Sequence, residues 1–183
     1  MDIRPEAAGE ADAIGELVRD AFTTAAHADG TEHLVVARLR RRGRLTVSLV
    51  AVEGGAAGGD AVVGHVAASP VRILPGEGEP DGDPGPEGWF GLGPLSVRED
   101  RRREGIGARL MTSAIDELRS RGAAGCVLLG DPDYYARFRF AHHPELGMEG
   151  LPPEAAGYFQ ALPLAGSVPA GLVRYDPAFF GDD

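Results

Sequence analysis

Three consecutive arginines, Arg101, Arg102 and Arg103, stand before Glu104, Gly105, Ile106, Gly107 and Ala108 in the stretch RRREGIGARL. The apolar run that follows has helical spacing. A helix start leaves backbone N–H groups unpaired and carries partial positive charge. Glycine there removes the Cβ atoms, so an anion can approach those N–H groups directly. Arginine adds charge-assisted hydrogen bonds. The chemistry these residues suit is the binding of a pyrophosphate, and the competing reading is a tight turn into a helix. Glycine in a helix interior costs about 0.5–1 kcal/mol relative to alanine. Two of them in one turn therefore ask for a reason. The Walker pattern requires a lysine, and the chain has none; the dinucleotide fingerprint requires a third glycine where Leu110 stands.

A second group of reactive side chains lies in DPDYYARF, residues 131–138. A tyrosine of ordinary pKa, near 10, holds its proton at neutral pH and can pass it to a leaving group. Tyr135 and Tyr134 compete for that part, because neighbours on a helix point about 100° apart; aromatic packing is the alternative for both. Of the five histidines, three are candidates for a base, since histidine is the side chain that ordinarily changes charge near neutral pH. His65 lies in a strand pattern and reads as structural or exposed, while His142 and His143 read as a surface turn before Pro144. Cys126 alternates with Val127 on a buried strand and reads as a core thiol. None of these is assigned as a general base. Trp89 and Phe90 read as sheet packing, and the arginines between Arg38 and Arg44 as a solvated helix end.

These groups need elements to hold them. Residues 1–5 read as an edge strand stopped by Pro5. Ile14, Leu17, Val18 and Phe22 mark an amphipathic helix between Glu6 and Thr24. Residues 31–43 form a shorter helix, with Asp29 or Thr31 as its cap and Gly43 as its stop. Strand patterns at 44–53 and 60–73 flank GGAAGG and predict a hairpin. Residues 74–88, rich in proline, glycine and acid, predict a long surface loop. The strand WFGLGPLSV then leads through the glycine turn into a helix whose face carries Ile106, Leu110, Met111, Ala114, Ile115 and Leu118. Gly122 ends that helix. AGCVLL is the next strand, parallel to its predecessor, and Asp131 caps a short helix with Pro132 in first position. Two weaker strands, YFQALPL and GLVRY, complete a mixed α+β order.

The chain has 183 residues, a net charge of −10, and 18 basic residues that are all arginine. That length predicts a single domain, with a core over about 1–145 and C-terminal strands over about 146–183. The acidic balance argues against nucleic acid as a partner. A lone cysteine excludes a disulfide framework or a CxxC metal knuckle, and no metal site is expected. No apolar run is long enough to span a membrane, and the charged N-terminus is unlike a signal peptide, so a cytoplasmic location is expected. The apolar tail strands are candidates for a homodimer interface.

The run GLGPLSVREDRRREGIGARLM resembles the acyl-CoA signature of the GNAT superfamily of N-acetyltransferases, whose Q/R-x-x-G-x-G/A core is matched by Arg102, Gly105 and Gly107. GDPDYYARFRF resembles the second motif of that family, and GLVRYDPAFF is similar to the tails of a bacterial branch with unassigned substrates. The resemblance implies a mixed, mostly antiparallel sheet with helices on both faces, splayed between its fourth and fifth strands with acyl-CoA in the gap. It implies acetyl-CoA as acyl donor and an amine as acceptor, with direct transfer between them. Leu95, Ser96 and Val97 are implied to bind the pantetheine arm and carbonyl oxygen, residues 102–108 the pyrophosphate, and Tyr135 to act as acid. Pro94 has no N–H, which suits a local break in strand pairing. The chain departs from the pattern at Arg139, where the family has glycine, and its central strand has no carboxylate. Those departures support the alternative of a silent acyl-CoA-binding module. A nucleotide binder is the third reading.

Overall fold

A computed structural model describes residues 1–23, 30–54, 60–74 and 87–181. The chain divides into two compact units. One comprises Met1–Ser69, Gly93–Glu117 and Pro177–Asp183, the other Pro70–Leu92 and Leu118–Asp176.

In the first unit β1 (Asp2–Pro5) pairs antiparallel with β2 (Val47–Gly54), and β2 with β3 (Asp60–Pro70), as the hairpin pattern predicts. The GGAAGG loop between them falls at residues 55–59, outside the described residues. Helix α1 (Ala11–Phe22) starts later than its apolar spacing alone suggests. Gly9 turns the chain at φ +95°, and the Glu10 carboxylate accepts from the Ala7 N–H and from Nη1 and Nη2 of Arg4 before the helix begins. Helix α2 (Glu32–Arg41) follows. Its N-cap is Thr31, whose side chain makes no capping bond, and Gly43 at φ +64° ends it. Ile14, Val18, Val36, Val50 and Val52 form one buried cluster, which places α1 and α2 on the Val50 face of the sheet.

The second unit contains the parallel step. Trp89–Gly91, the start of β5 (Trp89–Val97), pairs with residues 125–127 of β6 (Gly125–Leu129), and β6 pairs antiparallel with β8 (Phe159–Pro163). The Trp89 indole lies over Gly125, where a Cβ would collide with its ring. A separate three-stranded sheet has β9 (Gly171–Arg174) between β4 (Arg72–Leu74) and β7 (Leu146–Met148). The strand pattern expected over 60–73 is thus two strands, parted at Val71. The tail residues Phe159, Ala161, Leu162 and Val173 are buried, whereas Leu172 is exposed. The acidic loop falls largely at 75–86, outside the described residues.

The chain passes from the first unit to the second again along α3 (Ile106–Ser120). All six residues assigned to its apolar face are buried, and Gly122 ends the helix at φ +75°. No helix of the described residues is long and apolar enough to cross a membrane.

Candidate active site

Within the first unit, β5 runs from Gly93 to Val97 and hands the chain to the arginine turn. Gly93 has φ +144°, and the Gly93–Pro94 peptide is cis. The Arg98 N–H donates to the Val63 carbonyl (2.9 Å), tying the strand end to β3. A 3-10 turn over Glu99–Arg101 follows. Then Arg103 and Gly105 both take left-handed backbone, at φ +68° and +79°. The Gly105 carbonyl accepts the Arg109 N–H (3.0 Å), the first bond of α3. Helix geometry therefore leaves the N–H groups of residues 105–108 without intrahelical acceptors. A Cβ added at Gly105 would meet nothing within 4 Å. Glycine is needed there for its backbone angle, and the space on that side is open.

The arginines do different work. Arg101 pairs with Glu53 of β2, its Nε 3.0 Å from the carboxylate, and Arg98 pairs with Asp100 at 2.6 Å. Arg102 Nη2 donates to the Ala21 carbonyl at 3.0 Å and so satisfies an open acceptor in the last turn of α1. A guanidinium has five N–H donors, so this bond leaves others for an anion. Ser96 is buried; Leu95 and Val97 are half-buried. A Cβ on Gly64 would lie 2.8 Å from Leu110 Cδ1 and 3.3 Å from the Ser96 carbonyl oxygen. Gly64 therefore lets β3, β5 and the start of α3 close together.

Asp131, in the second unit, caps α4 (Pro132–Tyr135) by accepting the Asp133 N–H at 3.0 Å, with Pro132 in first position as expected. The Tyr135 ring packs on Gly130, where any Cβ would strike it, and meets Tyr134 edge-on at 4.9 Å. Burial, with Tyr134 and Asp131 nearby, pushes the Tyr135 phenol up to about 12. Burial also raises Tyr134, but Arg137, lying 4.6 Å over its ring, opposes the shift. Gln160 is buried and donates to the Gly130 carbonyl (2.9 Å), bracing the turn that carries α4. This support was missed in the sequence because thirty positions separate the two residues. His142 Nδ1 lies 3.3 Å from the Phe159 carbonyl, beside the Ala141–Ala161 bridge. Burial raises the Cys126 thiol to about 12, in keeping with a core thiol.

Arg139 has φ +71° and ψ +19°, the left-handed conformation that glycine adopts without penalty. The turn keeps its shape despite the arginine, at an energetic cost. Arg139→Gly is expected to stabilise the protein by roughly 0.5–1 kcal/mol, or about 2 °C in Tm. A lower Tm in thermal unfolding would refute the strain.

The model of the acetyltransferase (GNAT) family matches residues 12–142. The N-acetyltransferase YhbS of Escherichia coli K12, described as uncharacterized, is 35% identical over 98% of each chain. Two crystal structures are similar along nearly the whole chain. The complex of a GNAT family acetyltransferase from Brucella melitensis with acetyl-CoA shares 38% identity at a TM-score of 0.78, covering 97% of both chains. The complex of E. coli YhbS with CoA shares 34% at 0.79, covering 98% of this chain and 91% of that one. The chain belongs to the GNAT family of acetyltransferases. Its class of activity is acyl-CoA-dependent N-acetyl transfer.

Proposed function

We propose that the protein transfers an acetyl group from acetyl-CoA directly to a primary amine while both are bound. The observation that carries this reading is the turn at Arg103–Ala108. Two left-handed residues, a helix start and an open side at Gly105 fit a pyrophosphate. In this reading the N–H groups of Arg103, Glu104, Gly105, Ile106, Gly107 and Ala108 bind that anion, with Arg102 adding charge. Acetyl-CoA supplies the acyl group as an activated thioester. Backbone groups of Leu95, Ser96 and Val97 hold the pantetheine arm and the carbonyl oxygen where negative charge develops. Tyr135 serves the leaving sulfur. The silent-module alternative loses one of its two supports, because Arg139 preserves the turn geometry.

The test is thermal unfolding with acetyl-CoA, CoA, NAD and ATP in parallel. Ligand at ~100 times its Kd is expected to stabilise the fold by about 2.7 kcal/mol. Acetyl-CoA and CoA should raise Tm by several degrees while NAD and ATP leave it unmoved. No shift with either CoA form would overturn the proposal.

A further inference from the structure

One hydrogen bond ties the arginine turn to a helix 81 positions away in the chain. Arg102 Nη2 donates to the Ala21 carbonyl, in the last turn of α1, at 3.0 Å. That carbonyl lies at the negative end of the helix, where a cation is favoured. The Arg19 carbonyl, two positions earlier, is served from within α1, by the Thr23 N–H at 3.1 Å and the Thr23 hydroxyl at 2.9 Å. Ala21 instead takes a donor from the start of α3. Arg102 also differs from its neighbours. Arg98 and Arg101 are held by the carboxylates of Asp100 and Glu53, whereas Arg102 has no carboxylate partner among the described residues. Its surroundings add positive charge. Arg103 and Arg109 are exposed, and the first turn of α3, which contains Arg109, has no acid to offset the helix end. Glu104, the one acid between residues 102 and 109, exerts its charge on Arg101. By itself the turn thus repels the guanidinium that braces α1.

We propose that Arg102 is a positioning residue that couples acyl-CoA binding to the last turn of α1, so that each stabilises the other. The proposal rests on the acetyltransferase reading above, which puts the pyrophosphate at this turn. Two effects act together. An anion at the start of α3 meets the helix end and the arginines at once, and so cancels the repulsion that opposes Arg102. A guanidinium also has five N–H donors in a fixed fork, and the bond to Ala21 uses one of them. The other four can take phosphate oxygens while that bond persists. The last turn of α1 is therefore held more tightly when the phosphates are bound. Linkage makes the effect mutual: whatever loosens that turn lowers the affinity for acyl-CoA by the same factor by which acyl-CoA tightens it. Lysine would serve both ends poorly, having a compact ammonium on a flexible stem in place of the planar fork. The end of α1 is thus a point from which cofactor affinity can be adjusted without touching the cofactor.

Hydrogen–deuterium exchange in fragments covering residues 17–23 reads the coupling directly. Saturating CoA, with occupancy fixed by calorimetry, is expected to slow exchange there at least about threefold in the wild-type protein. In Arg102→Ala, with CoA raised to the same occupancy, that slowing should be absent. Unchanged or faster exchange in the wild type, or equal slowing in the variant, would overturn the proposal. Ala21→Gly tests it from the other end, since glycine loosens a helical turn. Calorimetry should show CoA held at least about twofold more weakly by Ala21→Gly than by wild type, with no further loss when Ala21→Gly is added to Arg102→Ala. The same loss in both backgrounds would mark a general effect on the fold and sink the coupling. Should Arg102→Ala fail to fold or to bind CoA, Arg102→Lys takes its place: it keeps a cation for the phosphate and should still lose the slowing. Wild-type protein that binds no CoA would defeat the acetyltransferase reading and this proposal with it, whereas binding without slowing defeats the coupling alone.

Discussion

Tyr135→Phe is expected to lower kcat about 10²-fold while leaving Tm and CoA affinity close to wild type. The ring, which packs on Gly130 and against Tyr134, is retained in phenylalanine, so the fold loses little. Only the hydroxyl disappears. Its pKa of about 12 bears on the mechanism. A thiol ionises near 8.5, so complete proton transfer from this phenol to a thiolate runs uphill. The ordinary tyrosine value near 10 lies closer to that of a thiol; burial separates them. In the proposed role Tyr135 donates a hydrogen bond as charge grows on sulfur and keeps its own proton. The activity profile should accordingly show no loss from Tyr135 ionisation at any pH below about 11. Steady-state kinetics of Tyr135→Phe and Tyr134→Phe decide the assignment. A large loss in the Tyr134 variant alone would exchange the roles, and no loss in either would remove tyrosine from the chemistry.

Acid is expected to destabilise the protein well before ordinary carboxylates titrate. The His65 imidazole is fully buried on β3, and burial lowers its folded pKa to about 4, against an ordinary value of 6.5. Between those values the unfolded chain binds the extra proton and the folded chain does not. Stability from this group is therefore complete above about pH 6.5 and is lost as pH falls toward 4, by about 3 kcal/mol in all. Glu6 acts in the same direction at lower pH, since its folded pKa is also depressed. Urea unfolding at pH 8, 6 and 5 measures the slope. His65→Gln, which has no such proton to take, should flatten it; an unchanged slope in that variant would refute the assignment.

Much of the local backbone around the candidate site is legible in the sequence because its cause is local. Gly105 is required by a left-handed backbone angle, Gly122 by a helix end, and Asp131 with Pro132 by a helix start. The face of α3 follows from spacing alone. What escaped reading has non-local or contrary causes. Arg103 and Arg139 occupy backbone conformations that their residue type disfavours, so only the surrounding structure dictates them. Strands β4 and β7 have three residues each, too few to establish alternation. No general base is legible in the sequence, since WFGLGPLSV has no carboxylate and His65 reads as structural or exposed. Glu6, Arg40, Ser48 and His65, linked by hydrogen bonds, come from the segment after β1, from α2 and from two strands, and no local pattern joins them.

The contact between Trp89 and Gly125 has an optical consequence. The chain has one tryptophan, and it is 2% exposed, with its indole filling the place where any other residue at 125 would put a side chain. Its emission should lie to the blue, and it shifts to the red when β5 and β6 separate and water reaches the ring. Intrinsic fluorescence excited at the indole band is thus a signal from the second unit, whereas far-ultraviolet dichroism sums the helices of both. Following the two signals through one denaturant titration, with no label attached, would reveal whether the units melt in a single cooperative step.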